Sequence, residues 1–372
     1  MKLNPFITNG YVSPEYFCDR ENETAALIRW ITNGNNVAIM STRRMGKTGL
    51  IEHSFHNQAI QGKYYTFLVD IYATKTLRDF VYQLGKKILD TLKPQKRQMW
   101  EVFVACLSSL RSNISFDSSG IPSWSLELGD IHSPSTTLEE IFHFLAKADK
   151  ECIVAIDEFQ QVIGYPDGDV EAVLRTYIQH CPNAHFIFAG SQRHLMGEMF
   201  VNPSRPFYQS VALMHLEAIR LDNYRTFASH HFMTAGKRLD DRVVEMIYER
   251  FEGITWYLQK ILNILFAVTP SGGTCTVDMV DDAVGFILDS YNYTYSELLY
   301  QIPEKQKEIL IAICKEGKAS NVTSGAFIKK YKLPSASSVQ AALKGLLEKD
   351  FITKEQGIYQ VYDRFFSLWL KR

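Results

Sequence analysis

The chain has 372 residues, of which 46% are hydrophobic and 22% are charged, and its formal net charge is -1. This composition is typical of globular protein, and it excludes a disordered acidic tail and a uniformly basic nucleic-acid coat. The length exceeds that of one ordinary hydrophobic core, so we expect two or three packed units.

Cysteine spacing and hydropathy indicate the compartment. The six cysteines lie far apart and form no CxxC pair, which argues against a zinc site and a disulfide framework. No apolar run approaches the roughly 20 residues of a membrane-spanning helix. The start, MKLNPFITNG, lacks the charged and then apolar pattern of a signal peptide. We therefore expect a cytoplasmic protein with reduced cysteines and no membrane partner.

Short apolar runs alternate with helical patterns up to about residue 219. Helical patterns include residues 77–92 and 137–148, and the Ser-, Gly- and Pro-rich residues 113–136 predict an irregular insertion with one short hairpin. Strands that are apolar throughout predict a parallel sheet covered by helices on both faces. The predicted strands are residues 36–41, 64–72, 152–158, 185–190 and 210–216.

The second part of the chain has a different pattern. After residue 219 the strand pattern stops and helices are predicted, until three helices and two short strands follow from Pro303 onward. Three helices and a hairpin predict a winged helix-turn-helix. We therefore divide the chain into an α/β core (1–219), a helical lid domain (220–292) and a winged helix domain (293–372).

Residues 41–48, STRRMGKT, lie between a predicted strand and a predicted helix and match the phosphate-binding pattern G-x-x-x-x-G-K-[ST] except at Ser41. Gly46 lets backbone N–H groups approach a phosphate, Lys47 reaches the β and γ oxygens, and Thr48 offers its hydroxyl to Mg²⁺. Serine is acceptable at position 41 if that residue does not need a positive φ. The alternative is a plain turn capped by Thr48. The residues assigned to the nucleotide are Ser41, Arg43, Arg44, Met45, Gly46, Lys47, Thr48 and Gly49.

The run CIVAIDE is a predicted strand that ends in Asp157 and Glu158. Asp157 is expected at the carboxyl edge of the sheet, where it would serve with Thr48 as a ligand of Mg²⁺. Glu158 is expected to orient or deprotonate water, with Lys47 as a second catalytic residue. Alternatively, the two acids are solvated caps of the strand.

Several segments in a fixed order carry a family resemblance. They are NPF and EYFCDRENE near the amino terminus, then RRMGKT, VAIDEF and FAGSQRHLM, and finally SSVQAALKGLLEKDFI with VYDRFFSLWL. Over nearly the whole chain, the protein resembles the archaeal and bacterial P-loop ATPases of the AAA+ superfamily that group with the STAND signalling ATPases. The resemblance implies a P-loop NTPase fold, ATP or ADP as the ligand together with Mg²⁺, and ATPase activity.

Three further residues are assigned by this resemblance. Phe6 lies in the amino-terminal segment that packs by the adenine. Ser191 follows the sensor strand and would touch the γ-phosphate or the attacking water, unless it is a helix N-cap. Arg205 would sense the γ-phosphate in its own chain or a neighbouring one, although relatives often place this arginine near Gln209; the alternative is a surface ion pair. No arginine matches the second sensor of AAA+ motors, which favours a switch or slow hydrolase.

The charge and the side chains of the predicted winged helix indicate whether its partner is DNA or a protein. Residues 303–372 contain 13 Lys and Arg and 7 Asp and Glu, a formal charge of +6. Base reading needs Arg, Asn or Gln, but the predicted reading helix, SASSVQAALKGLLEK, offers mainly serines, Gln340 and Lys344. We therefore expect a protein partner in preference to DNA. The sequence does not indicate the oligomeric state.

The sequence thus predicts a molecular switch in which ATP binds between the sheet and the helical lid, and its hydrolysis resets the switch. The alternative is a DNA-binding regulator whose ATP or ADP site is mainly structural.

Overall fold

The computed structural model describes residues 3–92, 97–113, 115–116, 122–123 and 127–372. These residues divide into two compact units. The first contains the residues up to His231 together with Glu252–Asn263, and the second contains Phe232–Phe251 together with Ile264–Arg372.

Strands and helices alternate along the first unit, whereas helices predominate in the second. The strands are β1 Val37–Met40, β2 Tyr65–Asp70, β3 Ser115–Phe116, β4 Pro122–Ser123, β5 Cys152–Asp157, β6 Ala184–Gly190, β7 Ala212–His215, β8 Arg238–Leu239, β9 Thr274–Cys275, β10 Ile352–Glu355 and β11 Ile358–Val361. The α-helices are α1 Glu21–Thr32, α2 Lys47–Phe55, α3 Leu77–Leu92, α4 Arg97–Cys106, α5 Pro134–Lys147, α6 Val170–Gln179, α7 Arg193–Val201, α8 Leu221–Thr234, α9 Asp241–Arg250, α10 Thr255–Val268, α11 Asp278–Ser290, α12 Asn292–Tyr300, α13 Glu304–Glu316, α14 Gly325–Tyr331, α15 Ala336–Glu348 and α16 Arg364–Leu370. Short 3₁₀ helices lie at Pro14–Tyr16, Ser108–Asn113, Leu128–Asp130 and Phe159–Gly164.

The first unit is built on five parallel strands in the order β2-β5-β6-β1-β7. Strand β1 has two neighbours, because Met40 pairs with Gly190 of β6 and with His215 of β7. On the other side of β6, Phe186 pairs with Val154 of β5. All five strands predicted for this sheet are confirmed, and their carboxyl ends lie at one edge.

Helices cover both faces of this sheet. Ala38 and Met40 of β1 belong to a core cluster with residues of α3 to α7, whereas Val37 and Ile39 belong to a second cluster with residues of α1 and α2. The membership alternates because successive residues of a strand point to opposite faces of the sheet. Full burial of a larger apolar side chain, such as that of Val37, Ile39 or Met40, stabilises the fold by about 1.5–3 kcal/mol. The predicted α/β fold with helices on both faces is thus confirmed.

The end of the chain forms the predicted winged helix. Helices α13, α14 and α15 are followed by the antiparallel hairpin of β10 and β11, in which Ile352 lies opposite Val361. Helices α14 and α15 begin where the side chains of Ser324 and Ser335 accept hydrogen bonds from backbone N–H groups of the first turn. Helix α16 follows the hairpin and was not indicated by the sequence pattern.

The sequence pattern was wrong in one detail of the second unit. Strand β8 pairs in parallel with β9, although only helices were predicted between residue 219 and the winged helix. Strands of two residues are too short to produce a period-two pattern, so the sequence could not reveal them. The predicted limits of the three domains, at residues 219 and 292, remain predictions.

Three other features bear on the sequence analysis. Within residues 113–136, β3 pairs antiparallel with β4, as expected of a short hairpin, while residues 117–121 between them lie outside the described residues. All six cysteines are free thiols. Over the described ranges, no helix has both the length and the apolar character needed to cross a membrane.

Gly190, the last residue of β6, has no room for a side chain. A β-carbon there would lie 2.6 Å from Oε1 of Gln160 and would also collide with the side chain of Met196. We expect Gly190→Ala to reduce the free energy of unfolding by about 1–3 kcal/mol, because tightly packed neighbours must shift. The measurement is the midpoint of thermal or urea unfolding.

Gly197→Ala is the matched control. A β-carbon at Gly197, inside α7, would have no neighbour within 4 Å, and alanine favours a helix more than glycine does. This variant should be neutral or slightly stabilising. Equal stability of the two variants would contradict the packing argument.

Candidate functional site

The residues from Ser41 to Gly46 connect β1 to α2. Gly46 is the N-cap of α2 with a φ of 92°, a conformation that glycine adopts without a steric penalty. Ser41 is fully buried and is not among the residues with positive φ, so serine fits where the phosphate-binding pattern has glycine. Its hydroxyl donates to the carbonyl oxygen of Thr42 at 2.9 Å and accepts from Nζ of Lys47 at 3.4 Å.

The phosphate loop and the acidic end of β5 meet directly. The hydroxyl of Thr48 donates a hydrogen bond to Oδ2 of Asp157 at 2.6 Å. Oδ1 of Asp157 accepts the backbone N–H of Glu158 at 3.0 Å. The sheet brings these residues together because β1 and β5 are parallel and only β6 separates them.

The pair of Thr48 and Asp157 suits one kind of metal ion. Mg²⁺ binds oxygen ligands, and it often uses only one or two protein oxygens together with water and substrate phosphates. Within the described ranges, no group of three or more His, Cys, Asp or Glu side chains could hold a metal by itself. A hydroxyl and a carboxylate beside a phosphate loop are therefore a fitting donor set for Mg²⁺ but not for zinc.

Lys47 and Asp157 are both buried, with 6% and 7% of their surface exposed. Burial lowers the pKa of Lys47, opposed by the nearby charges of Glu158 and Asp157. Burial also raises the pKa of Asp157, opposed by the hydrogen bond from Thr48 and by the charge of Lys47. Both charges are thus incompletely compensated. An anion beside Lys47 and a cation beside Asp157 would stabilise both charged forms.

Glu158 is held by two hydrogen-bond donors. Its Oε2 accepts from the hydroxyl of Ser191 at 2.6 Å and from Nε2 of Gln160 at 2.5 Å. The Nε of Arg43 in turn donates to the hydroxyl of Ser191 at 3.1 Å. Ser191 is not a helix N-cap, because Gln192 occupies that position before α7. The sequence analysis missed Gln160, whose only signal was its place two residues after Glu158.

Arg44 joins the phosphate loop to helix α10. Its guanidinium lies 4.3 Å from the ring centroid of Trp256 and donates to the hydroxyl of Tyr257 at 2.6 Å. The backbone N–H of Trp256 donates to the carbonyl oxygen of Arg44 at 3.1 Å. Thr255 also donates to the carbonyl oxygen of Met45 at 3.4 Å. Arg44 was expected at the nucleotide, and in this structure its side chain contacts aromatic residues of α10.

Arg20 supports the same loop from the amino-terminal segment. Its Nη2 donates to the carbonyl oxygens of Met45 at 3.3 Å and Glu217 at 2.6 Å, while Nη1 pairs with Glu23 at 2.7 Å. Only 4% of Arg20 is exposed. A buried guanidinium is stable here because its N–H groups find oxygen acceptors. The sequence placed Arg20 in the amino-terminal segment without indicating these acceptors.

These elements surround a pocket of about 450 Å³, a size typical of small-molecule sites. The phosphate loop, from Arg43 to Gly49, borders it together with Asp157 and Glu158. The rest of the border comes mainly from the amino-terminal segment and α10. Its residues are Ile7, Thr8, Asn9, Gly10, Tyr11, Val12, Tyr16, Phe17, Cys18, Arg20, Glu52, Ile219, Thr255, Trp256 and Gln259.

Among the described residues, four that the sequence analysis assigned to the nucleotide site do not border the pocket. Ser41 and Ser191 lie behind it, in contact with Lys47 and Glu158. The others lie farther from the phosphate loop. They are Phe6, which is fully buried and packs edge-on against Phe227, and Arg205, which forms salt bridges with Glu171 and Glu198. For Phe6 the neighbouring Ile7 borders the pocket instead. Arg205 forms an ion pair, but the pair is partly buried and not on the surface, because only 6% of the side chain of Glu171 is exposed.

Comparisons with known proteins agree with this architecture. Residues 17–261 match the family described as an ATPase domain predominantly from Archaea, and residues 293–372 match a probable winged helix domain. No curated protein matches the chain.

Solved structures with the same fold include three archaeal proteins. A Walker-type ATPase of Pyrococcus abyssi is 18% identical, with a TM-score of 0.65 over 99% of this chain and 100% of that one. The ORC2 protein of Aeropyrum pernix, in ADPNP and ADP complexes, is 14% identical, with a TM-score of 0.58 over 99% and 97%. The ORC1 protein of Aeropyrum pernix, in complex with DNA, is 14% identical, with a TM-score of 0.54 over 96% and 93%.

At these identities the structural likeness shows a shared fold and no more. The family match is more specific, because it spans about two thirds of the chain and includes the phosphate loop and the strand that ends in Asp157. The protein therefore belongs to the family of ATPase domains found predominantly in Archaea, and it carries a carboxyl-terminal winged helix domain.

Proposed function

We propose that this protein binds ATP with Mg²⁺ in the pocket beside the phosphate loop, hydrolyses it slowly, and acts as a molecular switch related to the STAND ATPases. The observation that carries the proposal is the 2.6 Å hydrogen bond between Thr48 and Asp157. A hydroxyl and a carboxylate of this kind hold Mg²⁺ in P-loop ATPases. Here the two groups, of Thr48 and Asp157, are in contact next to the amino terminus of α2. The positive end of that helix favours a phosphate at the same place.

Each residue of the site has a proposed role. The N–H groups at the start of α2 and the ammonium of Lys47 bind the phosphate oxygens. Mg²⁺, held by Thr48 and Asp157, would neutralise phosphate charge. Glu158 accepts a proton from the attacking water, which requires that its Oε2 exchange its hydrogen bonds with Ser191 and Gln160 for the water. Ser191 is then free to contact the γ-phosphate.

The contacts of Arg44 support a switch. Arg44 is in the phosphate loop and its side chain stacks on Trp256. A shift of the loop on phosphate binding would therefore also move α10. The sequence of α10, TWYLQKILNILFAV, contains no arginine. The helix therefore has no counterpart of the second-sensor arginine of AAA+ motors, and this favours slow hydrolysis. Arg205 would act only after leaving Glu171 and Glu198, so the proposal does not depend on Arg205.

Replacing Lys47 tests nucleotide binding. Lys47→Ala removes charge-assisted hydrogen bonds to phosphate, each worth about 1.5–3 kcal/mol. We expect the Kd for ADP to increase at least about tenfold, measured by isothermal titration calorimetry. Lys75→Ala, at an exposed position, is the control and should bind like the wild type. Unchanged affinity in Lys47→Ala would refute the binding site.

Replacing Glu158 tests catalysis separately from binding. Glu158→Gln keeps the shape of the side chain and removes the base, so kcat should decrease about 100-fold or more while ATP is still retained. The release of phosphate from ATP under single-turnover conditions measures the rate of hydrolysis. Glu139→Gln, on the exposed side of α5, should leave the rate unchanged. A normal rate in Glu158→Gln would remove the catalytic assignment.

A DNA-binding regulator is the second candidate, favoured by the winged helix and by the charge of +6 on residues 303–372. Two of the basic side chains are already engaged in ion pairs, since Lys330 contacts Glu316 at 2.6 Å and Lys344 contacts Glu348 at 3.8 Å, which makes them less available to phosphates. We therefore propose a protein partner in preference to DNA.

A gel-shift assay distinguishes these candidates. We expect no shift of duplex DNA at low salt by protein whose nucleotide binding is intact. A shift that weakens steeply with salt, and that is lost when Lys329, Lys330 and Lys332 are changed to Glu, would favour the regulator instead.

A further inference from the structure

Helices α11 and α12 of the second unit carry three aromatic side chains on their exposed face. Phe286, Tyr293 and Tyr300 are 65%, 77% and 80% exposed. They follow one another at intervals of seven residues, which is close to two turns of an α-helix, so they point in nearly the same direction. The exposed face of a helix is ordinarily charged or polar. We call these three residues the aromatic stripe.

The two helices form one continuous support for the aromatic stripe. Tyr291 lies between them and has dihedral angles in the right-handed helical region, with φ at −96° and ψ at 0°. Its N–H donates to the carbonyl oxygen of Ile287 at 3.1 Å, and its own carbonyl oxygen accepts from the N–H of Tyr295 at 2.8 Å. The helical direction is therefore kept across the junction, and the aromatic stripe spans both helices.

The opposite side of both helices is already packed. Leu288 of α11 and Tyr295 of α12 are buried. The ring of Tyr295 lies 5.1 Å from the ring of Phe366 in α16, measured between centroids. On the same helix, Nε1 of Trp369 donates to Oδ1 of Asn292 at 2.8 Å. The aromatic stripe is thus additional to the side chains that hold these helices in their unit.

The segment that carries the aromatic stripe is strongly acidic. Residues 278–300 contain four Asp and one Glu but no Lys, Arg or His, a formal charge of −5. Asp282 lies four residues before Phe286, and Glu297 lies four residues after Tyr293, so both acids share the face of the stripe. Both are exposed. The aromatic stripe therefore has an acidic rim.

The dimensions of the aromatic stripe suit a single helix. An aromatic side chain has about 150–250 Å² of surface, so at these exposures the three offer on the order of 400 Å² to a partner. This is about half of the ~800 Å² that each protein contributes to an interface of standard size. The stripe covers two seven-residue intervals, a rise of about 21 Å. A long and narrow apolar surface of this area fits the apolar face of one helix.

The charge of the rim determines the chemistry of that helix. The phosphates of DNA and of an anionic membrane surface would be repelled by the acids. A second copy of this chain, docked by two-fold symmetry, would place the acids of one stripe beside those of the other. Lys and Arg side chains of a partner would instead be attracted to the rim.

We propose that the aromatic stripe binds an amphipathic helix of a protein partner, a helix with an apolar face and with Lys or Arg on both sides of that face. Its apolar side chains, spaced three, four and seven residues apart, pack on the three aromatic rings. Its basic side chains approach Asp282 and Glu297. The inference rests on the proposed function only where that function prefers a protein partner to DNA.

The test uses a fluorescein-labelled helical peptide of about three heptads, with Leu at the a and d positions and Lys at the flanking positions. A second peptide has Glu in place of each Lys. Fluorescence anisotropy with the full chain measures the Kd of each. The wild type should bind the Lys peptide at least about tenfold more tightly than the Glu peptide, and this preference should decrease as the salt concentration rises.

Variants of Tyr293 show whether the aromatic stripe is the binding surface. Tyr293→Ser should weaken binding of the Lys peptide at least about tenfold, because a few aromatic residues near the centre of an interface supply most of the affinity. Tyr293→Phe keeps the ring and should bind like the wild type. Met233→Ser is the matched control, because Met233 is 71% exposed and lies on α8, outside the stripe. Its Kd for the Lys peptide should be unchanged.

The Kd for ADP, measured on the same proteins, separates this inference from the proposed nucleotide site. A wild type that binds ADP but neither peptide contradicts the inference alone, and so does equal binding of the two peptides. Unchanged binding of the Lys peptide by Tyr293→Ser would show that another surface is used. A dimer in sedimentation velocity, or a gel shift of duplex DNA, that is lost in Tyr293→Ser would assign the stripe to a second copy or to DNA and overturn the inference.

Discussion

The hydrogen bond from Thr48 to Asp157 exists because β1 and β5 are parallel and only β6 separates them. Parallel strands end at the same edge of a sheet, so the loop after β1, the acids after β5 and the residues after β6 are neighbours. Gly190 and Ser191 occupy the position between the other two. The edge of the sheet thus holds a phosphate loop, two carboxylates and a hydroxyl, and the remaining features of the site act by supporting or extending this group.

Desolvation is the second constraint on the site. Lys47, Asp157 and Arg20 are all buried, and a buried charge is unfavourable unless oxygen acceptors or an opposite charge compensate it. Arg20 is compensated by two carbonyl oxygens and by Glu23. Lys47 and Asp157 are compensated less completely, as the directions of their pKa shifts indicate. The three charges therefore differ in how completely their contacts compensate them.

Helix α10 makes two sets of contacts beside the pocket. Its first turn contacts the phosphate loop through Thr255 and Trp256, and its third turn holds the amino-terminal segment through Asn263. The same helix thus joins the phosphate loop to the amino-terminal segment, two turns apart. These contacts involve no arginine of α10, whose sequence contains none.

The sequence by itself determined the five strands, the phosphate loop, the acidic pair and the winged helix, because each has a local pattern of hydrophobicity or residue type. It left open whether Ser41 needs a positive φ, and the structure shows that it does not. The tertiary structure decided the order of the strands, the aromatic partners of Arg44, and the exchange of Phe6 for Ile7 at the pocket. It likewise decided the pairing of Arg205 and the placing of Gln160 and Gln259. Contacts between residues tens or hundreds of positions apart depend on how the sheet and helices pack, which no local pattern records.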